Sequence, residues 1–496
     1  MKTPSQPLLG LILCLTPNLE EGYVLVNVLG LNPSLLNGFK LDRNINYAAL
    51  HGDILELVPG KYKYVFEFVY ETTARAVGNP SAPHTSKQRS EGRIGGSNDN
   101  SDSTITPTAE GWWETPPFKG LHIYTSAGVV ASKKVAAYDM NGTLIKSNYD
   151  VLFPESFDDW QIAFPEVPGK LKKLHACGYK LVIFTNQAAI GKYEMEIFEF
   201  RRKIEAVVRK LGVPMQVFIS TGPEKYRKPR TGMWDALCER QMQQTGVAIN
   251  PARCFYVGDA AGRPNLKKPF NHKKDHSCAD RLLAMNIGIR FLTPEQHFQN
   301  LPKQPWIKPK FNPRKVCRLT ANGPLLTPPG ALLAEPRQEV IVMVGFPGSG
   351  KSHFVWNHLA PKGYDVVNRD TLGSWKNCEV QMVLSLRQGN SVVVDHLNPD
   401  VETRKRYVLV ARRAKIPIRC FLMDVSYKHA RHNIEFRKMT HWSHSSMTDM
   451  IFNLYTSKFQ EPTIAEGFTE IVKVNFVPDF DTYRYADLYR MYLLDK

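Results

Sequence analysis

Gly345-Phe346-Pro347-Gly348-Ser349-Gly350-Lys351-Ser352 fits the phosphate-binding pattern G-x-x-x-x-G-K-[ST]. The apolar run Val340-Ile341-Val342-Met343-Val344 before it reads as a buried strand, and His353-Phe354-Val355-Trp356 after it reads as the start of a helix. Strand, glycine-rich turn and helix N-terminus are the context this pattern needs. Glycines let successive backbone N–H groups turn toward a polyphosphate, and the helix dipole favours negative charge there. Lys351 then reaches the β- and γ-phosphates, and the Ser352 hydroxyl holds Mg²⁺. The stretch predicts a nucleoside triphosphate site in a parallel α/β domain. It does not say what receives the phosphate.

The 496 residues around it suggest roughly three domains of about 150 residues each. A hydrophobic content of 43% is enough to build real cores. The net charge of +17 points to a polyanionic partner, with nucleic acid first, because basic surface gains affinity by releasing counterions. Ribosome-associated and membrane-surface proteins share such basicity. The eight cysteines form no C-x-x-C pair, which speaks against a zinc site or disulfide framework and for free thiols in a reducing compartment. No apolar run is long enough to span a membrane. Residues 8–15 read as part of an N-terminal strand or as an unusual leader.

Composition divides the chain. Residues 1–71 read as a small β domain, alternating in a β-like way from about residue 22, with strands expected in Tyr23-Val24-Leu25-Val26-Asn27-Val28-Leu29, in Asp53-Ile54-Leu55-Glu56-Leu57-Val58 and over residues 62–70. Residues 72–111 are rich in Ser, Thr, Gly, Asn and Pro and read as a disordered linker. Residues 112–301 alternate short apolar strands with helical patterns, implying a second parallel α/β domain. Residues 302–337, rich in Pro, Lys and Arg, read as another linker before the last domain, residues 338–496. The fold class is therefore α/β, with two parallel-sheet domains behind a small all-β one.

In the middle domain the strand Val135-Ala136-Ala137-Tyr138 runs into Asp139-Met140-Asn141-Gly142-Thr143. Ligands of open α/β sheets bind at strand carboxyl ends. The run resembles motif I of the haloacid-dehalogenase superfamily, D-x-D-G-T. That resemblance implies Asp139 as the nucleophile that forms an aspartyl phosphate. It also implies that position 141 is the general acid/base, and here that residue is Asn141. Three further motifs follow in order. Thr185 in Phe184-Thr185-Asn186-Gln187 matches the phosphoryl-binding hydroxyl, and Lys228 in Tyr226-Arg227-Lys228-Pro229 matches the charge-balancing cation. Asp259 in Val257-Gly258-Asp259-Ala260 matches a Mg²⁺ carboxylate, and Asp280 can complete the acidic cluster. The Asn141 carbonyl can still ligate Mg²⁺, but its amide cannot donate and recover a proton. General acid–base help is worth about 10²–10⁴-fold, so a weakened phosphatase is expected.

In the last domain Asn368-Arg369-Asp370-Thr371-Leu372-Gly373 follows a short strand, and another strand ends in Asp395-His396-Leu397-Asn398-Pro399. An acceptor hydroxyl needs a carboxylate to take its proton, a role that suits Asp370. Arg431 and Arg437 suit a lid that clamps the triphosphate; each equally suits a solvated helix face.

A dehalogenase-type phosphatase followed by a P-loop kinase, with Val182-Ile183-Phe184-Thr185-Asn186-Gln187 and Val257-Gly258-Asp259-Ala260-Ala261-Gly262-Arg263-Pro264, resembles the animal polynucleotide kinase 3′-phosphatase family over residues 112–496. The resemblance implies ATP-dependent phosphorylation of 5′-hydroxyl DNA ends and Mg²⁺-dependent removal of 3′-phosphates. It implies Asp370 as general base, Lys351 and Ser352 as ATP and Mg²⁺ ligands, Asp395 near the acceptor nucleotide, a monomer, and a nuclear role in strand-break repair. The sequence departs from the family pattern at Asp395-His396-Leu397-Asn398-Pro399, at Ala189, and at Glu435, an acid in the lid run Arg431-His432-Asn433-Ile434-Glu435-Phe436-Arg437. Residues 26–68 resemble the second half of a forkhead-associated domain. Such domains bind phosphothreonine peptides of repair scaffolds through an early Arg, and no Arg precedes Arg43 here, as in a truncated form. Two other readings stay open: a largely non-catalytic DNA-end-binding scaffold, and a kinase for RNA ends.

Overall fold

The computed structural model describes residues 13–18, 23–28, 34–36, 39–41, 46–49, 53–56, 63–66, 111–114, 120–148, 157–188, 190, 194–223, 225–267, 272–321, 323–440, 449–480 and 482–495. The chain divides into two units, Met1–Glu110 and Gly111–Lys496. In the first, Leu13–Asn18, Tyr23–Val28 and Asn46–Ala49 form one antiparallel sheet. Phe39–Lys40, Leu35–Leu36, Ile54–Glu56 and Lys63–Val65 form another. Val26, Leu36, Leu41, Tyr47, Ala49 and Leu55 supply their common core. The alternating pattern thus gives strands, as expected. The linker expected at 72–111 lies outside the described residues except for Gly111.

The second unit holds two parallel sheets. In the first, Val135–Tyr138 lies in the middle, flanked by Lys180–Asn186 on one side and Phe255–Val257 on the other. Gln216–Ser220 and Arg290–Leu292 extend the parallel part outward. Leu121–Thr125 and Trp112–Glu114 add an antiparallel edge. All four residues of Val135–Tyr138 are buried. Ala136 and Tyr138 pack into one apolar layer, Val135 and Ala137 into the other. An unbroken apolar run is the signature of a strand covered on both faces.

The second sheet repeats this plan. Val340–Val344 is central, with Ile418–Asp424 and Glu470–Asn475 on one side and Val392–Asp395 and Asp365–Asn368 on the other. Val340, Val342 and Val344 face one layer, Ile341 and Met343 the opposite one. The strand order reverses at the central strand in both sheets, the place where open α/β sheets present ligand crevices.

Residues 302–337 are not only a connection. They contain the helix Pro313–Thr320 and the strand Leu326–Thr327, which pairs antiparallel with Glu470–Asn475. Asn312 caps the helix by accepting the Lys315 N–H at 3.0 Å, and Pro313 sits in the first turn, where its missing N–H costs nothing.

The second sheet is pinned at its amino end by an ion pair. Arg419 grips Glu339 with two bonds, Nη2 to Oε1 at 2.6 Å and Nε to Oε2 at 2.7 Å, and the Tyr364 hydroxyl also donates to Glu339. Glu339 is fully buried. Glu339→Ala leaves Arg419 buried without its main counter-charge, and a loss of about 3–5 kcal/mol is expected in urea denaturation. A loss below about 1 kcal/mol would show that the pair is not what anchors this edge.

Candidate active sites

Asp139 is the first residue beyond the central strand of the first sheet, and its N–H still donates to the Val257 carbonyl at 2.8 Å. Lys228 reaches it from a neighbouring loop. The Lys228 ammonium donates to Asp139 Oδ1 at 2.5 Å, to Asp280 Oδ1 at 2.8 Å and to the Tyr256 hydroxyl at 3.2 Å. Asp280 opens the helix Ala279–Ile287, and its other oxygen accepts the Ala260 N–H at 3.0 Å. Asp259 follows the strand Phe255–Val257 and accepts from the Thr143 hydroxyl at 3.4 Å. Two glycines make this crowding possible. A Cβ on Gly258 would fall 2.4 Å from Asp280 Cγ, and one on Gly142 would fall 2.6 Å from Asp259 Oδ2.

One carboxylate oxygen from each of Asp139, Asp259 and Asp280 lies within 4.8 Å of the others. Burial, opposed by Lys228, pushes the Asp139 carboxyl up to about 6. Burial, together with Asp139 and Asp280, holds Asp259 well above the usual carboxylate range. Burial acts downward on Lys228, but Asp139 and Asp280 outweigh it and raise the ammonium to about 12. Three crowded acids against one lysine favour a further cation. Hard oxygen donors in a confined space suit a divalent ion such as Mg²⁺. Thr185 is buried at the end of the strand Lys180–Asn186, with its hydroxyl accepting from Gln187 Nε2 at 2.9 Å. Asn141 is solvent-exposed in the turn after Asp139.

The second site begins at Gly345, after the other central strand. Gly348 and Gly350 have φ of 73° and 96°, where side chains are strained. A Cβ on Gly348 would lie 2.5 Å from Ile434 Cγ1, so glycine is required by packing too. Lys351 is buried and donates to the carbonyls of Gly345 and Phe346, each at 2.8 Å. Burial is the main reason its ammonium falls to about 8; Arg437 pushes the same way, while Asp395 and Asp370 resist. Ser352 is exposed at the start of the helix Lys351–Phe354. Asp395, buried, ends the strand Val392–Asp395, and exposed Asp370 lies in the short helix Arg369–Leu372. The lid helix Tyr427–Thr440 covers the loop, and Asn433 Nδ2 donates to the Gly348 carbonyl at 2.9 Å. Its two arginines part company. Arg437 is half-buried on the Lys351 side, whereas Arg431 pairs with Asp449 and lies over the Phe452 ring.

The structure thus gathers Asp139, Lys228, Asp259 and Asp280 at one site and Lys351, Asp370, Asp395 and Arg437 at the other. It also adds residues to which sequence reading gave no role. Asn186 holds Lys228 by its backbone, accepting its N–H at 3.0 Å and donating to its carbonyl at 3.2 Å. Asn368 ties the Asp395 carboxylate to the backbone of Asp370, donating to Asp395 Oδ2 at 2.9 Å and accepting the Asp370 N–H at 2.7 Å. Buried Arg263 donates to the Asp259 carbonyl at 3.0 Å and pairs with Asp275 and Glu295. Asn398 donates to the Met343 carbonyl at 2.8 Å, fastening the departed motif to the strand before the phosphate loop. A strand-end asparagine was the available signal for Asn186 and Asn368; its partners were not.

A phosphatase domain joined to a P-loop kinase domain is the class of protein these two sites fit. Residues 134–298 match the family model described as Polynucleotide kinase 3 phosphatase, and residues 340–462 match one described as AAA domain. The bifunctional polynucleotide phosphatase/kinase of Schizosaccharomyces pombe is 35% identical over 404 residues, covering 80% of this chain and 94% of that protein. A polynucleotide 3′-phosphatase of Arabidopsis thaliana is 36% identical over 185 residues, 34% of this chain and 25% of that protein. The chain belongs to the bifunctional polynucleotide phosphatase/kinase family. It is an enzyme with a polynucleotide phosphatase domain and a polynucleotide kinase domain.

Lys351 gives a pH test of the second site. Its folded value near 8 lies below the ordinary 10.5, so between these values the unfolded chain holds a proton the folded chain has released. Stability therefore rises with pH through that window. Lys351→Met is expected to remove that rise, on the order of 2–3 kcal/mol at most, in denaturation midpoints of parent and variant compared from pH 7 to 10.5. Parallel curves for the two proteins would refute the burial argument.

Proposed function

We propose that the protein repairs DNA strand-break ends in the nucleus, phosphorylating 5′-hydroxyls with ATP and removing 3′-phosphates through an aspartyl phosphate. The observation that carries this reading is the pairing in one chain of the Asp139–Lys228–Asp280 cluster with the Lys351 loop beside Asp370 and Asp395. The net charge of +17 suits a nucleic-acid substrate, and the S. pombe relative's name states both activities.

In the phosphatase step the Asp139 carboxylate attacks phosphorus and the bond to the sugar 3′-oxygen breaks. Thr185 donates to a phosphoryl oxygen, and Lys228 balances the phosphate charge while its backbone is fixed by Asn186. The leaving alkoxide must take its proton from water, because Asn141 has none to give. Water then cleaves the aspartyl phosphate to free phosphate and restore Asp139. Mg²⁺ held by Asp139, Asp259 and Asp280, with the Asn141 carbonyl, would neutralise phosphoryl charge.

In the kinase step the N–H groups of residues 348–352 cradle the ATP phosphates. Lys351 exchanges its carbonyl partners for β- and γ-phosphate oxygens, Ser352 would hold the Mg²⁺ that accompanies ATP, and Arg437 approaches from the lid. Asp370 takes the proton of the 5′-hydroxyl as the γ-phosphorus is attacked, and Asp395 lies near the acceptor nucleotide.

A nicked duplex with 5′-hydroxyl and 3′-phosphate ends, given ATP and Mg²⁺, tests both halves. Lys351→Ala should abolish 5′ transfer while leaving 3′ release unchanged. Asn141→Asp should raise 3′-phosphate release by about 10²–10⁴-fold. Rapid release by the parent with no gain in Asn141→Asp would end the weakened-phosphatase reading. Transfer to RNA ends in preference to DNA ends would shift the substrate class.

A further inference from the structure

Glu435 is the acid that the lid run placed among basic and polar residues, and its partner is on the other domain. Arg230 Nη2 meets Glu435 Oε2 at 2.6 Å, with the two side chains only 8% and 18% exposed. Arg230 sits two residues after Lys228, and its other terminal nitrogen donates to the Pro223 carbonyl. Glu435 also accepts from Lys438 at 2.7 Å, so the acid is held on its own helix as well.

The helix that carries Glu435 is the one that touches the phosphate loop. Asn433, two residues earlier, bonds the Gly348 carbonyl, Ile434 packs against Gly348, and Arg437, two residues later, lies on the Lys351 side. Tyr489 also braces the helix, its hydroxyl donating to Asn433 and its carbonyl bonding His432 Nε2 at 2.8 Å. Tyr489 supports the helix from within the kinase domain. Arg230 reaches it from the phosphatase domain, next to the residue that binds the phosphatase's own phosphate.

We propose that the Arg230–Glu435 ion pair is an interdomain clasp that sets how closely the lid helix approaches the phosphate loop. Arg230, a phosphatase-domain side chain, is thereby a positioning residue for the kinase. The proposal rests on the kinase reading above, and nucleotide binding tests it apart from phosphate transfer. ADP affinity and the KM for ATP are measured in the full chain for Arg230→Met, Glu435→Met, the double variant and Glu435→Gln.

Each Met single variant is expected to weaken ADP binding and raise the KM for ATP by about 2- to 30-fold. The double variant should match either single, because both break the same contact. It buries no unpaired charge, so it stays testable if a single variant folds poorly. Glu435→Gln, which keeps a hydrogen-bond acceptor, should recover most of the parental affinity. Single variants within twofold of the parent, or a double variant whose loss is the product of the singles, would overturn the clasp. So would variants that melt earlier yet bind ADP as the parent does. Weakened ADP binding in a chain that transfers no phosphate would keep the clasp and remove the kinase reading.

Discussion

A parallel strand covered on both faces can show its chemistry only where it ends, and both catalytic domains are built on that constraint. Val135–Tyr138 and Val340–Val344 are buried throughout, so Asp139 and Gly345 are the first residues free to meet a ligand. Each lies at the central strand, where the chain order of the sheet reverses and the neighbouring loops diverge. The loops that bring Lys228 and Asp280 to one site, and Asp395 and Asp370 to the other, converge there because the same strands carry them.

The two sites are then electrostatic opposites. At the first, three carboxylates share one lysine, and burial drives protons onto Asp139 and Asp259. At the second, a buried lysine leans on backbone carbonyls, and burial lowers its ammonium to about 8 instead. Each site is uncomfortable in the sense that its ligand would relieve: a cation for the acids, phosphate oxygens for Lys351. Arg230 and Glu435 join the loop beside the first site to the helix above the second. The two chemistries therefore share one mechanical frame.

Much of this was legible in the residues. The short apolar runs ended at the acids that the sites use, because a strand buried on both faces must be apolar and its first polar residue marks its end. The resemblance to the superfamily motifs pointed to Asp139, Lys228 and Asp259, the phosphate-loop pattern to Lys351, and a strand end to Asp370. What escaped were contacts between segments far apart in the chain. Nothing near Asn186 says that it holds Lys228 forty-two residues on, and nothing near Arg431 says that it turns to Asp449 rather than to the triphosphate loop. Residues 302–337 looked like a linker because proline content cannot tell a proline that opens a helix from one that breaks it.

The sequence by itself determined the two parallel α/β domains, the phosphate loop and the order of the phosphatase motifs, since each is a local pattern of burial and turn chemistry. It also determined that Asn141 offers no acidic proton. Only the tertiary structure decided which charges share a site, how far burial moves their protons, and that the anomalous Glu435 belongs to Arg230. Those outcomes depend on distances of a few ångströms between residues as much as two hundred positions apart, and no local pattern encodes such a distance.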